Sequence, residues 1–174
     1  TRIDFSQNML NLNKLSSKKI LWDLNYGLPP LTDKSSLLVS NFCLHWLNEP
    51  EIILKKWFDK LRIGGFLIVS FPSSKCFPEW ENTCKKNDIS FSAIEFPDID
   101  KIKKLFKQNQ IVLSHKFIYK ENFQDIYKLF RSIINIGAQS TKSKRIKIKE
   151  FKKMQNTWPK DINKRVNLTW EISI

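Results

Sequence analysis

The amino-acid sequence predicts an α/β fold: a doubly wound, mostly parallel sheet with an antiparallel strand at the C-terminus and a helical segment inserted at about residues 120–160. Two observations predict it. Short apolar runs alternate with longer segments of helical periodicity, and the chain ends in a strictly alternating run in which Val166, Leu168, Trp170, Ile172 and Ile174 interleave with Asn167, Thr169, Glu171 and Ser173. No linker divides the chain, so residues 1–174 read as a single domain.

The elements follow in order. Thr1 to Ser6 reads as the end of a strand closing on an acid, followed by a helix bearing Met9, Leu10, Leu12 and Leu15. Ile20 to Trp22 is a short strand before Asp23. Ser36–Asn41 and Phe66–Phe71 read as buried parallel strands, since apolar residues run through them without alternation. Between them Asn48 with Glu51 suggests a capping box, Pro50 fits a first turn, and Ile53, Leu54, Trp57, Phe58 and Leu61 share one helix face, with Gly64 and Gly65 as the stop. Asp98 is placed to cap a helix with Ile99, Ile102, Leu105 and Phe106 inside, and Ile111–Tyr119 follows as a strand with His115 in its middle. Asn122 then opens a helix that buries Phe123, Ile126, Leu129, Phe130 and Ile133 and runs to Gly137. A basic helix covers Lys147–Gln155.

Composition narrows the function classes. The net charge is +13, but only five of the 30 basic residues are Arg (Arg2, Arg62, Arg131, Arg145, Arg165). Base readout and bidentate phosphate gripping favour Arg, so no nucleic-acid role is expected. No apolar run is long enough for a membrane span and no signal-peptide pattern precedes the domain; a cytoplasmic protein is expected. Cys43, Cys76 and Cys84 are odd in number and lack ligand spacing, which predicts reduced thiols and no metal site. The four glycines form neither a Walker nor a dinucleotide-binding loop, and no nucleophilic triad or carboxylate pair appears.

The candidate residues therefore lie at strand ends. Asp4, with Phe5 beside it, stands where an acid can accept from both hydroxyls of a ribose, though a helix cap would use the same residue. Asp23 can take an adenine amino group while the backbone of Leu24 meets the ring edge, or simply form a turn. Asn41 closes the next strand on the edge where open α/β sheets bind ligands, and His45 and Trp46 follow.

The order Asp4-Phe-Ser, Met9-Leu10, Asp23, Leu28-Pro29, Ser40-Asn41, His45-Trp46 and Leu61-Arg-Ile-Gly64-Gly65 resembles the class I S-adenosylmethionine-dependent methyltransferases over essentially the whole chain. Phe77-Pro-Glu79-Trp80, Arg131-Ser132 with Ile136-Gly137-Ala138, Trp158-Pro159 and Leu168-Thr169-Trp170 are similar to the malonyl-acyl-carrier-protein O-methyltransferases of biotin synthesis. Ser36 departs from that pattern, where an Asp is usual. The resemblance implies S-adenosylmethionine as methyl donor, bound by Asp4, Phe5, Asp23, Leu24 and Asn41. His45, Trp46 and Arg131 would face the acceptor, a malonyl group on an acidic acyl carrier protein, with the cationic run Lys142–Lys153 as a docking face. It also implies a first strand and glycine-rich turn ahead of Asp4, absent from these residues, so the 174 residues alone are expected to be inactive. Leu44-His45-Trp46 also resembles the methyltransferase-fold assembly factors of mitochondrial complex I, and a non-catalytic interaction protein is the other alternative.

Overall fold

The computed structural model describes residues 1–12, 14, 17–30, 34–136 and 146–174, and these divide into two compact units. The first comprises Thr1–Phe71, Asp100–Val112 and Ile174; the second comprises Pro72–Ile99 and Leu113–Ser173.

In the first unit β1 (Arg2–Asp4) pairs in parallel with β2 (Lys19–Leu21), placing Asp4 opposite Leu21. The helix between them, α1 (Gln7–Leu12), buries Leu10. A second parallel ladder joins β3 (Ser35–Asn41) to β4 (Leu61–Pro72) through α2 (Pro50–Asp59). That is the β-α-β crossover expected of a parallel pair, which cannot be joined by a tight turn. Pro50 occupies the first turn of α2 as predicted, and Ile53, Leu54 and Trp57 are buried at helical spacing. The cap is Glu49 rather than Asn48, because the backbone N–H of Asn48 is drawn to Asn25 Oδ1 at 2.9 Å. The helix ends at Asp59, and Gly64 and Gly65 belong to β4. Gly64 has φ of +75°, and a Cβ on Gly65 would lie 3.1 Å from the carbonyl oxygens of Ser35 and Ser36. Glycine there lets the lengthened strand stay against its neighbour.

The two ladders are not as dry as the sequence predicts. Leu37 and Val39 of β3 are 53% and 65% exposed, and their register partners Phe66 and Ile68 are 56% and 47% exposed. Residues of equal register share a face, so an apolar face of this parallel pair lies bare among the described residues. Unbroken apolar runs signal strands that can be covered on both faces, not that they are.

The second unit begins where β4 ends. The helix α3 (Pro78–Lys86) is anchored to β6 (Val166–Ser173), since Glu79 accepts from both Thr169 N (3.0 Å) and Thr169 Oγ1, and Phe77 N–H donates to Thr169 O at 2.8 Å. β6 pairs antiparallel with β5 (Lys116–Phe123), as the terminal alternation predicts. β5 starts later than expected: Ile111 to His115 lie outside it, and Asn122 and Phe123 are its last residues rather than a helix start. β5 extends only as far as its partner β6, from Lys116 opposite Ser173 to Phe123 opposite Val166, which accounts for the shift. The next helix, α5 (Ile126–Asn135), is capped by Asp125, whose carboxylate accepts from Lys128 N at 2.8 Å. α4 (Ile99–Lys103) is a single turn or so, leaving Leu105 and Phe106 beyond it. α6 (Ile148–Thr157) matches the predicted basic helix, with Lys149, Lys152 and Lys153 exposed. Its core joins Trp80, Cys84, Ile126, Leu129, Met154, Trp158 and Leu168.

Candidate functional site

The strand ends of the first unit gather the residues singled out at the cofactor positions. Asp4 ends β1 and is half-buried. Its Oδ1 accepts from Ser6 N at 2.8 Å, forming a turn ahead of α1, while Ser6 Oγ accepts from Met9 N at 3.4 Å, so of the two cap candidates it is Ser6 that bonds into the helix. A carboxylate offers about four lone-pair sites, and this one contact leaves capacity for further donors. Phe5 follows, 77% exposed.

Asp23 lies two residues past the end of β2 and caps a 3-10 turn over Leu24–Tyr26. Its Oδ1 accepts from Asn25 N and Asn25 Nδ2, both at 2.9 Å. Asn25 in turn accepts from Asn48 N, which ties this turn to the start of α2. Trp22 Nε1 donates to Gly27 O at 3.0 Å and closes the loop from beneath. Both readings of Asp23 thus meet in one place: an Asp that shapes a turn also presents an exposed carboxylate at a strand's carboxyl end.

Asn41 ends β3, and its Oδ1 accepts from Ser70 Oγ across the ladder to β4. Phe42 N–H still bonds to Ser70 O at 2.8 Å, and the chain then turns sharply, with Phe42 at φ of 52°. A bulky residue in the left-handed region is strained, at a cost of order 1–3 kcal/mol, and persists only where its surroundings hold it. Here the hold is the next turn, Leu44–Trp46, whose Leu44 is fully buried. The burial of Cys43 pushes its thiol pKa up; a bond to Ser40 opposes this, and the Asp4 carboxylate adds to it. The Asp4 carboxylate thus lies close enough to influence Cys43, although β1 and β3 belong to separate ladders. Asp4, Asp23 and Asn41 each stand at or just past the carboxyl end of a strand, the kind of place where ligands bind in open α/β sheets.

His45 and Trp46 lie in the turn that follows β3. Burial pulls the imidazole pKa down to about 4, so His45 is neutral at physiological pH. Its ring meets Trp46 at 4.9 Å and Phe42 at 6.1 Å between centroids. Arg131 is an exposed residue of α5 in the second unit. Gly137, Ala138, Lys142, Lys144 and Arg145 fall outside the described residues. Leu15 does too.

The sequence reading missed Asn25, Ser70 and Phe42. Asn25 and Ser70 act as partners of predicted residues, and only their spatial neighbours reveal them. No local signal marks the φ of Phe42.

The donor set fits the nucleoside half of an adenosine-type ligand. Two carboxylates stand where ribose hydroxyls and an amino group would donate, and Phe5 and Tyr26 are exposed flat surfaces beside them. No group of three or more residues that could hold a metal occurs among the described residues, and no described helix is long and apolar enough to cross a membrane.

No family model matches the chain, and no curated protein does either. Among solved structures the chain is similar to that of a "putative methyltransferase" from Bacillus halodurans C-125, at a TM-score of 0.60 and 13% sequence identity, covering 98% of this chain and 78% of that one. At that identity the likeness is one of fold, and the fold of this chain is that mixed α/β architecture with a mostly parallel sheet.

Proposed function

We propose that this chain belongs to an S-adenosylmethionine-dependent methyltransferase whose acceptor is the free carboxylate of a malonyl group on an acyl carrier protein, a step of biotin synthesis. What supports the donor is the placement of Asp4, Asp23 and Asn41 at or just past the carboxyl ends of β1, β2 and β3. S-adenosylmethionine, when bound, supplies a methyl group on a sulfonium, which passes in line to a nucleophile. Asp4 would hold the ribose hydroxyls, Asp23 and the Leu24 backbone the adenine, and Asn41 the methionine end.

The acceptor rests on the sequence resemblance of the Arg131 segment and on chemistry. A carboxylate is ionised at neutral pH and needs no base. His45, whose pKa burial lowers to about 4, would be a poor base there. Catalysis would then consist of positioning the reactants, which contributes up to about 7–11 kcal/mol, and of excluding water. Arg131 would grip the malonyl carboxylate with its planar fork. Lys147, Lys149, Lys152 and Lys153, exposed on and before α6, form a cationic face suited to an acidic carrier.

The test is complementation of a biotin auxotroph that lacks this methyltransferase, using the full-length protein that carries this sequence. Growth without biotin, lost in Asp4→Ala, is expected. Failure to grow despite soluble expression and measurable donor binding would remove the acceptor and leave the donor. Replacing Lys147 and Lys149 with Gln should raise KM several-fold for the carrier-bound substrate, and less at high salt, without changing it for a small malonyl thioester.

A further inference from the structure

We propose that the loop Lys160–Arg165 of the second unit docks this protein on an anionic lipid surface, with Ile162 entering the headgroup region and Lys160, Lys164 and Arg165 facing the lipid phosphates. The inference stands apart from the donor and acceptor proposed above and does not rest on them.

The loop is held from both ends. Trp158 before it and Val166 after it are buried in the core of the second unit, and Trp158 Nε1 donates to Asn167 O at 3.2 Å. An antiparallel bridge between Lys160 and Val166 closes the stem. Asp161 shapes the tip. Its Oδ1 accepts from Asn163 N at 2.9 Å and from Arg165 N at 2.8 Å, its backbone O accepts from Lys164 N at 3.0 Å, and its N–H donates to Arg165 O at 2.9 Å. Lys164 takes φ of 60°, the left-handed conformation that closes three-residue hairpin loops. This network presents Ile162 to solvent in a set position, 98% exposed.

An exposed Ile alone calls for no explanation, so its company decides. Lys160, Lys164 and Arg165 are exposed around it, and none of them forms an ion pair among the described residues. The one acid of the loop, Asp161, has its carboxylate engaged by backbone N–H groups. The tip therefore offers a branched apolar side chain among three unneutralised cations. An anionic lipid surface complements both parts, since Lys and Arg are drawn to its charge and an apolar side chain gains by entering the headgroup boundary. The net charge of +13 adds long-range attraction to the same anions. Shape then favours lipid over an acidic protein. A specific protein interface of ordinary size covers about 800 Å² on each side and is anchored by aromatic or Arg side chains in pockets. A projecting tip with one aliphatic residue suits a surface that yields around it.

The test is co-sedimentation of the full-length protein with phosphatidylcholine vesicles, with and without phosphatidylserine, at low salt. Binding to the anionic vesicles alone, reversed by added salt, is expected. Ile162→Ser leaves the charge unchanged and should weaken binding by about five- to tenfold, as for a side chain partly removed from water. Lys160→Gln with Lys164→Asn should weaken it by about 25-fold, or about fivefold for each cation. Asn accepts the left-handed conformation at position 164, so the loop keeps its shape. Ile63→Ser, at an equally exposed Ile of the first unit, and Lys104→Gln with Lys107→Gln make the same chemical changes elsewhere and should have much smaller effects. Equal losses from the loop variants and these controls would overturn the inference, because general charge and greasiness would then account for binding. Failure of the unaltered protein to bind anionic vesicles would overturn it too, and capture of an acidic protein that depends on Ile162 would then make the loop a protein contact.

Discussion

The two units dispose of their apolar surface in opposite ways. In the second, Trp80 is 4% exposed and meets Phe77, Phe91 and Phe130 at centroid distances of 6.0, 5.3 and 4.7 Å, and Phe130 continues the chain of rings to Phe151 and Trp158. In the first, the ladder of β3 and β4 leaves Leu37, Val39, Phe66 and Ile68 largely open. A closed aromatic core is held by its own packing, and so tolerates little change. The open ladder keeps its shape by hydrogen bonding and by the buried side of α2, and its candidate ligand residues sit at the ends of strands rather than in a sealed interior. The difference teaches that the candidate donor residues stand at the ends of an open ladder, whereas the closed aromatic core belongs to the other unit.

The largest effect expected follows directly. Trp80→Ala should cost about 3–5 kcal/mol, the usual penalty for emptying a large aromatic site, read as a shift in urea midpoint. Val39→Thr on the bare face should change stability by no more than about 0.5 kcal/mol, and should lower binding of a hydrophobic dye. Comparable losses from the two would mean that something covers that face in solution, and the contrast between the units would fall.

A smaller effect tests how the second unit is fastened. The Glu79 carboxylate receives two donors from Thr169, one backbone and one hydroxyl, and holds the start of α3 on β6. Glu79→Ala leaves a buried N–H without its partner and should cost about 1–3 kcal/mol. Glu79→Gln keeps an acceptor and should recover part of it. Full stability in Glu79→Ala by thermal unfolding would show that Phe77 N–H on Thr169 O suffices to hold the helix.

Elements whose signal is long and periodic were legible in the sequence. The terminal strand was read from its alternation, although its faces are not cleanly dry and wet, since Val166 and Leu168 are buried but so are Thr169 and Ser173 while Trp170 and Ile172 are only partly so; α2 was read because Ile53, Leu54 and Trp57 recur at helical spacing. Boundaries decided by non-local partners were not. Asn48 looks like a cap until Asn25 claims its N–H, and Asn122 looks like a helix start until β6 claims it as the partner of Asn167. The site was half legible for the same reason: Asp4, Asp23 and Asn41 are polar residues at predicted strand ends, which is a local pattern. The proximity of Asp4 to Cys43 and the turn at Phe42 arise only when separate strands are brought together. Arg131 is an exposed residue of α5, whose Ile126, Leu129 and Ile133 are buried, and its motif runs on into residues outside the described ones.

The smallest effect concerns His45, and it separates the first unit from the second by pH. An imidazole ordinarily titrates near 6.5; burial lowers this one to about 4 in the folded protein. Between those values the unfolded chain takes up a proton that the folded chain refuses, so protonation favours unfolding and stability falls as pH drops through that window. Above 6.5 both states are neutral and the contribution is constant; below 4 both are charged and it changes no further. Carboxylates titrate in the lower part of the window, so the interval from about pH 5 to 6.5 isolates the histidine. The ring is partly exposed, which limits the total to about 1 kcal/mol after allowance for solvent. His45→Gln should therefore flatten the pH dependence of the melting temperature between pH 5 and 6.5. His115, packed against the ring of Phe117 in the second unit at 4.4 Å, serves as the control through His115→Gln. If the slope survives in His45→Gln and vanishes in His115→Gln, the imidazole after β3 is not desolvated.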